Sequence, residues 1–460
     1  MPFVRPAHAA VLLLAVVVAL AVPMWYWEGG LIEIESTQFV RQYLDDRSAP
    51  QKVFDPHGND LGTYQARELS YFVDYLDARI FEVLMLADRP VFVPASALLA
   101  SALTILVTFV AMRRFPPAAK LPAALVLLVF LTNYVHLVTM GMLYRSAKPM
   151  LVPLLIGTLF YVLAILRGRR IPRAAKDGWR PTAALTVFVL FSVISLLDRQ
   201  GFFYAVAGTI VLGIHGVLVG GRRDVLAGGV AAVCAMTLYN LMLAPFLVET
   251  INGYSPSFEY QRLPWRNIFN DPLIIQHAFE LVVQSAAVLL GGPSVRVFGL
   301  VCAAALLWML FSRRKGIAAA IIAVIAVQTA LVALLIARHP PIYDWYDHRL
   351  WYYPLPFQAL LAGLLIAAIG RVVPTWSTAR TVVLSVVLVA MAIGNVVHWK
   401  DYRRAQLRSH WFPSVYTQNA ALKSSFADGR PRPSLSPEFF AFFEFWRMRS
   451  PALRERAERA

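Results

Sequence analysis

The chain has 460 residues, a formal net charge of +16, 58% hydrophobic residues and only 15% charged ones. A soluble domain carries about 25% charged residues, and repeated apolar runs of about 20 residues mark membrane-spanning helices. These values exclude a soluble enzyme, a disordered chain and a coiled coil, and leave an all-α, polytopic transmembrane helical bundle.

The first apolar run, 9–27, closes on Pro23-Met24-Trp25-Tyr26-Trp27. That ending offers no small-residue cleavage site, and its aromatics suit an interfacial belt. It is expected to be a true span (1–27), followed by a long loop at 28–90. Further spans are predicted near 91–112, 121–143, 150–166, 182–197, 202–220, 225–247, 295–312, 316–337, 353–370 and 381–397. This makes about eleven helices by the usual length criterion. The resulting segments are 91–247 with six spans, a loop at 248–294, 295–397 with four spans, and a tail at 398–460.

The stretch Leu273–Leu290 is apolar but carries His277, Glu280 and Gln284 on one helical face. Loop charge decides its placement. If it lies in the interface or dips in and out, every strongly basic short loop falls on one side. Those loops are Arg113-Arg114…Lys120, Arg167…Arg180, Arg222-Arg223, Arg313–Lys315 and Arg371…Arg380. The positive-inside rule assigns them, and the N-terminus, to the cytoplasm. Segments 28–90, 248–294, 338–352 and the tail then face outward. The same rule accounts for the basic excess without a nucleic-acid partner. Cys234 and Cys302 sit within apolar runs and support neither a disulfide framework nor a zinc site.

Residues 28–90 hold twelve of the 27 carboxylates: Glu28, Glu33, Glu35, Asp45, Asp46, Asp55, Asp60, Glu68, Asp74, Asp77, Glu82 and Asp88. A loop of this length is usually functional. Within it, Ala66–Leu86 has apolar residues at 69, 72, 73, 76, 80, 83 and 84, the spacing of an amphipathic helix suited to a membrane surface. Arg67, Tyr71 and Asp74 fall on its polar face, with Glu68, Tyr75, Arg79 and Glu82 on a neighbouring stripe. Carboxylates keep such a loop soluble. An ionised carboxylate of restricted solvation is also what deprotonating an acceptor hydroxyl requires.

A long acidic loop after the first helix, with an amphipathic helix before the second, resembles the polytopic GT-C glycosyltransferases. A second patch is similar to the Arg-Tyr-x-x-Pro opening of bacterial lipid-linked sugar transferases of that class: His348-Arg349-Leu350-Trp351-Tyr352-Tyr353-Pro354-Leu355-Pro356. Here Leu350-Trp351 separate the arginine from its tyrosines. The resemblance implies a polyprenyl-phosphate-sugar donor, catalysis on the outer face, and a first-loop carboxylate as base. It implies the base among Asp45, Asp46 and Glu68, with Asp74 in support, Asp45 and Asp46 being favoured as earliest after the first span. It also implies an arginine near the donor phosphate. The loop lacks the His-Phe-Asp-Glu run of protein O-mannosyltransferases, so their protein acceptor does not carry over.

A polyprenyl phosphate needs cations at the interface, and a guanidinium holds phosphate oxygens in a fork without losing its charge. The candidates are Arg349, Arg199 and Arg145, with His348 and Tyr352 beside Arg349. Lys148 and Arg266 read as helix-end residues snorkelling to lipid headgroups, and Asp198 as a partner for Arg199. Asp344, Asp347 and His348, or the Asp45-Asp46 pair, have donor types that suit a divalent cation such as Mg or Mn, at no diagnostic spacing. No Gly-x-Ser-x-Gly elbow and no phosphate loop occur. Pro437–Arg449, with Phe439, Phe440, Phe442, Phe443, Phe445 and Trp446, is expected to anchor the tail in the membrane interface.

The sequence thus predicts an integral-membrane glycosyltransferase of a bacterial inner membrane. It would move a sugar, with inversion, from a polyprenyl-phosphate donor to a lipid, glycan or protein acceptor on the periplasmic face. A transporter or flippase of lipid-linked sugars would show ionisable residues in span centres and inverted repeats. A polysaccharide polymerase or ligase would carry its main loop late in the chain.

Overall fold

The computed structural model describes residues 30–54, 66–143, 147–167, 181–219, 223–254, 265–289, 315–338, 354–407 and 412–459, apart from 33 and 93. The chain is an almost entirely helical, multi-pass membrane protein. Among the described residues seven helices are long and apolar enough to cross a membrane, or eight if one bent pair is a single span. The expected spans at 9–27 and 295–312 lie outside the described residues. Two further apolar helices, Pro181–Leu197 and Leu273–Leu289, are 17 residues each.

The elements run β1 (Leu31–Ile32), α1 (Ile34–Tyr43), α2 (Ala49–Phe54), α3 (Glu68–Leu86), α4 (Ala95–Met112), α5 (Pro117–Thr132), α6 (Tyr134–Gly141) and β2 (Met142–Leu143). Then come α7 (Ala147–Arg167), α8 (Pro181–Leu197), α9 (Arg199–Val219), α10 (Arg223–Leu238), a π-helical turn at Tyr239–Leu243, α11 (Ala244–Asn252), α12 (Trp265–Asn270) and α13 (Leu273–Leu289). The chain continues through α14 (Lys315–Arg338), α15 (Pro354–Val372), α16 (Thr378–Leu407), α17 (Phe412–Asp428), α18 (Pro437–Arg449) and α19 (Pro451–Arg459).

The membrane bundle has α5, α7 and α15 at its centre. Helix α15 packs on both of the others, and α5 also meets α16. The helices α8, α9 and α10 form a second packed group. There Gly228 of α10 lies so close to Ala184 that an added Cβ would sit 2.3 Å from its carbonyl oxygen. Small residues let helix backbones approach where lipid offers no hydrophobic drive for association. Outside the bundle a smaller unit joins the first loop to the end of the chain. Its core is Phe39, Tyr43, Phe81, Met85, Phe92, Phe426, Phe439, Phe442, Phe443 and Trp446.

Two expectations are corrected here. The run 121–143 is not one straight helix: α5 and α6 meet at Asn133 with a 55° bend. The Asn133 side chain caps the new start, accepting from Val135 N at 2.8 Å, and donates to Val288 O of α13 at 2.8 Å. Asn395 of α16 donates to Val129 O at 3.1 Å. Two amide side chains thus take up backbone groups, at the break and at the end of α13, that lipid could not satisfy.

The second correction concerns the tail. Phe439, Phe442, Phe443 and Trp446 are fully buried, facing protein and not a membrane interface. Phe81 of α3 stacks on Phe442 at 6.1 Å and meets Trp446 edge-on at 5.5 Å. Tertiary packing takes this aromatic face because α3 presents the complementary one: Ala78, Phe81 and Met85 are buried against it. The apolar stripe predicted on α3 remains open, with Phe72, Leu76, Ile80 and Val83 exposed, the arrangement of a helix resting on lipid.

Candidate functional site

The strongest concentration of buried charge lies where the start of α3 meets the ends of α7, α8 and α9. Arg67 and Glu68 open α3, Lys148 opens α7, and Asp198 with Gln200 forms the turn from α8 to α9. All five are at most 6% exposed. Lys148 Nζ donates to Asp198 Oδ1 at 2.6 Å and to Gln200 Oε1 at 2.9 Å. Gln200 N donates to the same carboxylate at 2.8 Å, and Arg67 Nη1 stands 3.9 Å from its second oxygen. The Arg67 guanidinium lies over the Tyr71 ring at 5.3 Å. The Tyr239 side chain lies beside Glu68.

Local sequence builds each piece. Pro149 follows Lys148, which starts α7 with that ammonium in its first turn. Gly201 makes the α8–α9 turn possible: a Cβ there would lie 1.8 Å from Ile194 O. Tyr239 opens the π-helical turn, whose extra residue per turn re-aims side chains and recurs at functional sites.

Two cations and one carboxylate are therefore held in one desolvated place, with the buried Glu68 next to Arg67 in the chain. Burial pushes the Asp198 carboxyl up, but Lys148 and Arg67, with the hydrogen bonds from Lys148 and Gln200, outweigh it and hold it below the ordinary value. Replacement of one partner in such a group leaves an uncompensated charge. Chemically the group offers an ammonium and a guanidinium for phosphate oxygens and a carboxylate for a proton.

The candidate carboxylates separate. Glu68 is buried at the start of α3, beside Arg67 in the chain. Asp45 and Asp46 lie in the turn between α1 and α2, where Asp45 accepts from Arg47 Nε at 2.6 Å and stands 3.6 Å from Lys52 Nζ. Asp46 is exposed, and Asp74 is half-buried on α3. A carboxylate already engaged by two cations does not suit a divalent ion, and among the described residues no three His, Cys, Asp or Glu side chains come together as a metal site.

Arg199 lies next to Asp198 in the cluster's turn and is half-buried. Asp198 pairs with Lys148 and Arg67, brought from elsewhere in the chain, where adjacency had pointed to Arg199. Lys148 is likewise no snorkelling residue, being 3% exposed. Arg145, Asp344, Asp347, His348, Arg349 and Tyr352 lie outside the described residues. Sequence reasoning passed over Tyr239 altogether, since a tyrosine in an apolar span carries no local signal.

Three other first-loop carboxylates have structural tasks. Asp77 caps the start of α4 through Ser96 N at 2.9 Å and also accepts from the Ser96 hydroxyl. Glu82 pairs with Arg449 at 3.0 Å and Asp88 with Arg456, both from the end of the chain. Comparison with protein families, with curated proteins and with solved structures finds no match for this chain.

Proposed function

We propose that this chain is a GT-C-like membrane glycosyltransferase, moving a sugar from a polyprenyl-phosphate donor to an acceptor hydroxyl at the periplasmic face of a bacterial inner membrane. The observation that carries the reading is the buried Arg67–Glu68–Lys148–Asp198 cluster, formed where the acidic first loop seats on the ends of the spans. A lipid phosphate arriving along the exposed apolar face of α3 meets an interface with two cations beneath it. Lys148 and Arg67 would take the negative charge that develops on the departing phosphate. Glu68, buried beside Tyr239, is the base in this scheme, ahead of Asp45 and Asp46. No step requires a metal.

The test is transfer from radiolabelled polyprenyl-phosphate sugars to membrane extract by the purified chain. Glu68→Gln is expected to abolish transfer while Asp45→Asn and Asp46→Asn retain it. Loss in Asp45→Asn or Asp46→Asn with full activity in Glu68→Gln moves the base to the α1–α2 turn.

A flippase reading has one observation in its favour. The break between α5 and α6 meets the buried C-terminal end of α13 inside the bundle, through Asn133 and Val288, and interrupted helices recur at transporter binding sites. Movement of labelled lipid across proteoliposomes, with no sugar transfer, would favour it.

A further inference from the structure

A second polar site lies inside the bundle, beside the start of α7, where Pro149, next to Lys148 of the charge cluster, lines it. Ser101 of α4 and His136 of α6 are 2% and 4% exposed, and Ser101 Oγ is 3.0 Å from His136 Nε2. The other ring nitrogen, Nδ1, is 3.1 Å from Leu131 O. A carbonyl oxygen only accepts, so Nδ1 carries the proton, and Nε2 of the neutral ring is left to accept from the serine.

The bend at Asn133 makes this arrangement available. In a continuous helix the Leu131 carbonyl would accept from Val135 N. Here Val135 N is taken by the Asn133 side chain, so the carbonyl orients the imidazole. A small cavity of about 10 Å³, room for one water, lies beside the pair, lined also by Thr104, Thr139, Met140 and Leu355.

We propose that Ser101 and His136 form a nucleophile–base pair acting on the acyl ester of a membrane lipid. A hydroxyl is activated by an adjacent base that is itself oriented by a third group, and the three groups here are Ser101, His136 and the Leu131 carbonyl. Ser101 Oγ forms a bond to the acyl carbon as its proton passes to Nε2. The ester C–O bond breaks, and the departing alkoxide takes that proton from Nε2. Water then attacks the acyl-serine, with Nε2 accepting its proton and returning it to Ser101 as the fatty acid leaves.

Met140 closes the site, its sulfur 3.0 Å from Ser101 Oγ. A flexible thioether is the side chain best able to move aside. Thr104 and Thr139 donate back to Ala100 O and Val135 O, each at 2.7 Å. The proposal stands on this geometry alone and does not depend on the glycosyltransferase reading.

The test uses the full chain in detergent with an alkyl fluorophosphonate, the adduct being located by peptide mass spectrometry and folding followed by thermal melting. Expected is a single adduct on Ser101, absent in Ser101→Ala, formed faster in Met140→Ala, and slowed about 100-fold, the usual size of a general-base contribution, when His136→Gln is added to either protein. Two results overturn the proposal: no Ser101 adduct in both the wild-type and Met140→Ala proteins while folded, or an adduct whose rate His136→Gln leaves unchanged.

Discussion

Asn419 and Ile32, 387 positions apart, are joined as if by a peptide ladder. Ile32 N donates to Asn419 Oδ1 at 2.7 Å, and Asn419 Nδ2 donates back to Ile32 O at 2.8 Å. Both residues are fully buried. Ile32 belongs to β1, whose parallel partner β2 follows the half-helix α6. One side chain from α17 thereby ties the start of the first loop, the end of the interrupted span and the C-terminal segment together.

Asn419→Ala removes both bonds and strands a buried N–H and C=O of Ile32. An unsatisfied buried group costs about 1–3 kcal/mol, so a loss of roughly 2–4 kcal/mol is expected for the pair. Chemical denaturation monitored on the smaller unit checks this. A midpoint unchanged from wild type would show that the ladder contributes nothing.

Phe442→Ala should destabilise the packing of α18 on α3 by about 3–5 kcal/mol, as large-to-small changes of a buried aromatic do. Limited proteolysis should then cut the chain after Asp428 faster. Were the tail held by lipid and not by Phe81, the substitution would alter membrane binding and leave proteolysis as it was.

Lys148→Met should destabilise by about 3–5 kcal/mol, because Asp198 stays buried without its closest cation. Adding Asp198→Leu should recover part of that loss. The carboxyl of Asp198 is held below its ordinary value of 3.8. Its contribution to stability is therefore complete above about pH 4 and declines as pH falls through the lower, folded value. Asp198→Asn should flatten the acid limb of a melting-temperature profile below about pH 4. An identical limb in wild type and variant would remove Asp198 from the acid transition.

Gly201→Ala places a Cβ where only 1.8 Å separates it from Ile194 O. The α8–α9 turn must open, carrying Asp198 and Gln200 away from Lys148. Sugar transfer should fall with that displacement even though Gly201 bears no functional group. Transfer at the wild-type rate would argue that the Lys148–Asp198 contact is dispensable for activity.

Composition and apolar run length were enough to establish a helical, multi-pass membrane chain, because lipid admits few other backbones and each span must be apolar along its whole length. The periodicity of 66–86 likewise located α3 and its open apolar stripe, since helical spacing is a local property. The sequence also singled out Glu68 and Arg199 as residues of interest, while it read Lys148 as a snorkelling side chain. Partners were another matter. Which cation meets Asp198, that Tyr239 reaches Glu68, that Ser101 meets His136, and that the tail's aromatics pack on Phe81 are all relations between segments far apart in the chain. An interfacial aromatic helix and a buried one have the same composition, and a snorkelling lysine reads like a paired one. Only the folded arrangement of α3 against α7, α8 and α18 decided between them, because burial and pairing depend on what the rest of the chain brings to the same place.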